Sequence, residues 1–118
     1  MTKIRFKLSQ SPEKTEIDKI VDCQKNGELT IFQIDNICYE YQSKKQQLKF
    51  VRYSDEFVFT IDIKNDINSI TYKLIDQNLE FDIPYDYLYF EENDPTIKIF
   101  YKIKTQPEEY VIEIKKEE

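Results

Sequence analysis

Apolar and polar residues alternate along most of the chain with a period of two, the pattern of strands that are covered on one face and wet on the other. The clearest case runs from Leu48 to Ile63, where Leu48 and Phe50, then Phe57, Phe59, Ile61 and Ile63, recur at every second position around the polar joint Ser54-Asp55-Glu56. This stretch predicts the central hairpin of a meander. Lys3 to Leu8 opens the chain in the same way, with Ile4, Phe6 and Leu8 set against Lys3, Arg5 and Lys7. Similar runs occupy Ile37–Gln42, Ile70–Leu74, Leu79–Ile83, Ile97–Ile103 and Tyr110–Ile114. Leu29 to Ile34 is apolar on both faces, which fits a strand covered on both sides or lying at a barrel closure.

Turn-forming residues separate these runs. Asn26-Gly27 is a strong hairpin signal, because Gly reaches the positive φ that matches the twist of two flanking strands. Asp35-Asn36, Ser43–Gln46, Asn65–Asn68, Asp76–Asn78, Glu91–Pro95 and Thr105–Pro107 mark the remaining turns, and Pro84 ends a strand because it cannot donate to a ladder. Gly27 is the single glycine, so other turns needing positive φ must place Asn or Asp there. Residues 13–25 admit two readings. Ser11-Pro12-Glu13 is a helix-start signal, with Ile17, Ile20 and Val21 on one helical side; as a strand the same segment aligns Ile17, Val21 and Cys23. The adjoining hairpin signal favours the strand. The pattern therefore predicts an all-β chain of about nine to eleven antiparallel strands, a barrel or sandwich, with an α+β fold carrying a helix at 13–25 as the alternative.

Composition narrows the function more than the fold. With 118 residues the chain fits one domain, 1–118, and 40% apolar residues including 9 Tyr and 8 Phe suffice for a core. A net charge of −6 argues against nucleic acid and against an anionic membrane, since both are held by Lys and Arg displacing counterions. No apolar run approaches the length of a membrane span, and the opening residues lack a signal-peptide block, so a cytoplasmic location is expected. Cys23 and Cys38 are expected as buried thiols. The absence of His removes the commonest general base and metal ligand, so neither catalysis, a metal nor a cofactor is expected.

Several segments carry a family resemblance: the opening Lys-Ile-Arg-Phe-Lys-Leu strand, Lys25-Asn26-Gly27, and Leu48-Lys-Phe-Val-Arg52-Tyr-Ser54 with its strand ending in Arg. The Phe-Val-Phe strand, Ser69-Ile-Thr-Tyr72-Lys, Asn78-Leu-Glu-Phe-Asp, Ile97-Lys-Ile-Phe-Tyr-Lys-Ile and Val111-Ile-Glu-Ile complete the set. On these the chain resembles the YwiB-like family of bacterial proteins, small lipocalin-like (calycin-type) barrels without an established activity. The resemblance implies a single meander closing into a lipocalin-like barrel. The sequence departs from the family's glycine after the strand-ending Arg and from its Thr-Pro-x-Gly turn after the Tyr strand.

Arg52 is the sharpest candidate residue. It falls in register with Leu48 and Phe50, so its guanidinium points inward, where it would anchor the carboxylate or phosphate of a ligand; the alternative is a rim position paired with Asp55 or Glu56. Tyr39, Tyr41, Phe57, Phe59, Tyr72, Phe81 and Tyr101 fall on inward faces, and this many large rings favours a filled barrel; if a cavity remains, Arg52 with Tyr39, Tyr41, Phe59 and Tyr72 would orient a small apolar or anionic ligand. Tyr85, Tyr87 and Tyr89 alternate onto one face and would either pack in the core or form an aromatic surface for a protein partner or a homodimer, as could an edge strand. Glu91, Glu92 and Asp94 lack the spacing of a calcium loop and read as a solvated turn.

Overall fold

A computed structural model describes residues 2–11, 14–65 and 67–117. Among them every regular element is a strand: β1 (Thr2–Ser11), β2 (Lys14–Asn26), β3 (Leu29–Ile34), β4 (Ile37–Lys44), β5 (Gln47–Tyr53), β6 (Phe57–Lys64), β7 (Ile67–Leu74), β8 (Leu79–Asp82), β9 (Tyr85–Asn93), β10 (Thr96–Ile103) and β11 (Glu109–Glu117). No helix among the described residues is long and apolar enough to cross a membrane. The 13–25 segment is a strand where it is described, so the helical alternative is set aside. The hairpin after it turns on Gly27-Glu28, one residue later than expected. Asn26 pairs with Leu29, and Gly27 takes the positive φ of 68° required at the first central position. Asp35, Asn65 and Asn78 adopt positive φ as the turn chemistry requires, and Gln46 joins them at 61°.

The chain divides into two compact units, Met1–Asp22 with Pro84–Glu118, and Cys23–Ile83. In the first, strand order is β2-β1-β11-β10-β9, and β1 pairs antiparallel with β11 from Lys3↔Glu117 to Ser11↔Glu109. The expected solvated tail at Lys115 is therefore largely strand. Alternation buries Ile4, Phe6, Leu88, Ile97, Ile99, Tyr101, Ile112 and Ile114 on one face. The other face carries charge pairs, among them Arg5 to Asp18 through two 2.9 Å hydrogen bonds and Lys3 to Asp22 at 3.5 Å. The Asp18 carboxylate, by hydrogen bond first and charge second, raises the pKa of Arg5, and the hydrogen bond from Arg5 lowers that of Asp18 against a smaller desolvation effect. Both groups are exposed, so the pair orients the strands more than it stabilises them.

The second unit is a meander in the order β2-β3-β4-β5-β6-β7-β8. Its core is a set of cross-strand rows. One row runs Thr30, Tyr41, Phe50, Ile61 and Ile70, all buried. Leu48 and Ile63 extend it beside Phe50 and Ile61. Burying each such large apolar side chain is worth about 1.5 to 3 kcal/mol, which makes β5 and β6 the best-anchored hairpin of this unit. The hydrogen-bonded ladder of the described residues does not itself supply the expected barrel closure. The ladder has two ends, β8 hydrogen-bonded to β7 and β9 to β10, and β9 follows β8 in the chain without following it in the ladder. Pro84 lies between them, where it removes a donor.

A candidate anion site in an aromatic row

Arg52 lies on the inward face of β5, as its register requires. Its row runs Phe32, Tyr39, Arg52, Phe59, Tyr72 and Phe81 across β3 to β8. The guanidinium carbon sits 5.8 Å from the centroid of the Tyr39 ring and 5.9 Å from that of Phe57, within the range of cation–π attraction. Around it Phe32 stacks on Tyr39 at 5.0 Å, and Phe57 stacks on Tyr72 at 5.7 Å. Arg52 is half-buried, and its Nε is enclosed by protein without a hydrogen-bond partner. No ion pair among the described residues joins it to Asp55 or Glu56, so the rim reading is not the arrangement present. Burial pushes the Tyr39 phenol up, and the Arg52 guanidinium opposes that by charge and hydrogen bonding.

The structure brings Arg52, Tyr39, Phe59 and Tyr72 into one row, adds Phe57 from the diagonal position, and places Tyr41 one row further into the core. Coverage declines along the row. Tyr39 is buried, Phe59 and Tyr72 are half-buried, and Phe81 is 46% exposed, contrary to its expected place in the core. Phe81 belongs to β8, which ends the ladder and is exposed along its whole length. The candidate site is thus an aromatic face closed at Phe32 and Tyr39, open to solvent at Phe81, with the cation between them.

The tyrosine strip is corrected in composition. Between Lys102 and Ile103 the β9·β10 register shifts, which leaves Asp86 as the extra residue and brings Tyr85 opposite Ile103, on the face of Tyr101. Tyr87 and Tyr89 remain on the other face, where Tyr89 stacks on Phe100 at 4.8 Å. Tyr87 donates to Glu109 at 2.9 Å, and burial, then this bond, pushes its phenol up to about 12. Lys102 holds Asp86 at 2.7 Å.

A groove of about 600 Å³, absent from the expectations, opens at one end of the second unit between Gln33, Cys38, Tyr53, Asp55, Glu56 and Phe57. Tyr53 donates to Glu40 at 3.0 Å, and this bond to a carboxylate, ahead of burial, pushes the phenol up to about 12. The polar joint Ser54-Asp55-Glu56 was the only trace of it in the sequence. Cys38 is half-buried and Cys23 buried, and neither forms a disulfide. Glu91 and Glu92 are exposed residues of β9 paired with Lys98 and Ile97, not of the expected turn, which is confined to Asp94-Pro95; no metal-binding cluster occurs among the described residues. No family model, curated protein or solved structure matches the chain.

Proposed function

We propose that the chain is a non-catalytic binding module for a small ligand with an anionic head and an apolar body. Arg52 is the anchor, and Tyr39, Phe57, Phe59 and Tyr72 are the surface on which the body lies. The observation that carries this reading is Arg52 itself, a half-buried cation with an enclosed, unbonded Nε and no carboxylate partner among the described residues. A half-buried charge with no carboxylate to neutralise it weighs against the fold, and a bound carboxylate or phosphate would supply that counter-charge. The proposal extends to a cytoplasmic member of the YwiB-like family, supported by the consecutive strands β2 to β8 and by Arg52 near the end of β5. Thermal unfolding with dodecanoate and with dodecanol is the test. The carboxylate should raise the unfolding temperature and the alcohol should not; no shift, or an equal shift with both, would sink the proposal.

A second reading rests on Tyr89, 47% exposed and stacked on Phe100 beside the edge strand β9. Here Tyr87, Tyr89 and Phe100 form a contact surface for a protein partner or a second copy. Sedimentation of the wild type and of the Tyr87→Ser/Tyr89→Ser double variant separates the cases. Association that the variant loses supports the surface, and a wild type that stays monomeric counts against its homodimeric form.

A further inference from the structure

β8 has four residues, Leu79 to Asp82, pairs with β7 along one side, and ends the ladder. Which of its backbone groups face outward follows from the pairing. Ile83 N–H donates to Ile70 C=O at 2.8 Å, which makes this a hydrogen-bonded pair. Such pairs alternate in an antiparallel ladder, so Tyr72↔Phe81 and Leu74↔Leu79 are also bonded pairs, whereas Thr71↔Asp82 and Lys73↔Glu80 are not. The N–H and C=O groups of Glu80 and Asp82 therefore point away from β7, into solvent.

Side chains sort the same way. Leu79 and Phe81, 45% and 46% exposed, continue the apolar face of Leu74 and Tyr72, and Ile75 in the adjoining turn is 41% exposed. Glu80 and Asp82 lie on the opposite face. Lys73 stands across from Glu80, but Asp82 faces Thr71 and has no cation across from it. Edge strands are commonly protected by charge. A single sign of charge, however, protects only against strands of that sign. The edges of this chain are all acidic, with Glu80 and Asp82 on β8 and Asp86, Glu91 and Glu92 on β9. Edge-to-edge pairing of two copies would set carboxylates beside carboxylates, which excludes a second copy as the occupant.

We propose that the β8 edge accepts an extended basic segment of a protein partner as an added strand. In that segment Lys or Arg alternates with apolar residues, the cations beside Glu80 and Asp82 and the apolar side chains over Leu79 and Phe81. Main-chain hydrogen bonds to Glu80 and Asp82 supply affinity, and the alternation supplies specificity. This inference does not depend on Arg52.

The probe is a capped hexapeptide of alternating Lys and Val, titrated into isotopically labelled protein and followed by amide chemical shifts. Shifts should concentrate at Glu80 and Asp82, and a Glu-Val hexapeptide should bind at least roughly tenfold more weakly. Asp82→Pro deletes one outward donor and a charge while leaving the bonds to β7, since Pro is tolerated where an edge N–H faces solvent. It should weaken the Lys-Val peptide roughly tenfold and keep the β-sheet circular dichroism spectrum. Should that variant fail to fold, a peptide N-methylated at every second residue, added to wild-type protein, tests the same bonds in the two possible phases. One phase should lose binding and the other retain it. Absence of binding, equal binding of acidic and basic peptides, or indifference to both N-methyl phases overturns the inference.

Discussion

An arginine whose Nε is enclosed and unbonded should weaken the fold that carries it, and at Arg52 this becomes a measurable quantity. Replacing Arg52 by Met keeps a long unbranched side chain between the Tyr39 and Phe57 rings and removes the buried polar group. The expected result in denaturant unfolding is unchanged stability or a gain of up to about 1 kcal/mol, where ordinary core substitutions lose that much or more. A loss above about 2 kcal/mol would instead mark Arg52 as a structural contact through its rings. The inward direction of Arg52 was legible from its spacing to Leu48 and Phe50, because strand periodicity fixes the face of every second residue. The exposure of Phe81 was not legible, although it obeys the same periodicity. Which strand ends a ladder depends on long-range pairing, and alternation carries no record of it.

At the scale of elements, turn chemistry and cross-strand rows make separate predictions. Gln46 turns β4 into β5 at a positive φ of 61°, a conformation that disfavours a side chain with a Cβ. Gln46→Gly should therefore stabilise the protein by about 0.5 to 1 kcal/mol, the relief of strain outweighing the added freedom of the unfolded chain. Within the row of Tyr41, Phe50 and Ile61, Phe50→Ala should cost about 3 to 5 kcal/mol, read from the same denaturant titrations. Asp35, Asn65 and Asn78 could be expected as turn positions because Asn and Asp tolerate positive φ; Gln46 carries no such mark. The shift at Asp86 was equally silent. A bulge adds one residue without changing residue type, and it moved Tyr85 off the face of Tyr87 and Tyr89.

For the molecule as a whole, phenols that donate to carboxylates, Tyr53 to Glu40 and Tyr87 to Glu109, set the alkaline limit. Tyr53 and Tyr87 are raised from 10.0 to about 12, so the folded state favours their neutral forms. The stability they contribute is fully present below pH 10 and is lost as pH rises from there through 12. Unfolding midpoints measured across that window should fall, and Tyr53→Phe should flatten the fall; parallel profiles for the two proteins would contradict the assignment. The all-β class, the strand count and most turns were readable in advance because they rest on local patterns. The open ends of the ladder and the groove beside Cys38 arise where distant segments meet, and there the pattern is silent. The central claim, that Arg52 anchors an anion, meets its most direct test in titration calorimetry of dodecanoate against the wild type and Arg52→Met. The account predicts binding to the wild type and at least roughly tenfold weaker binding to the variant. Equal affinity for the two proteins, or no binding to either, would contradict it.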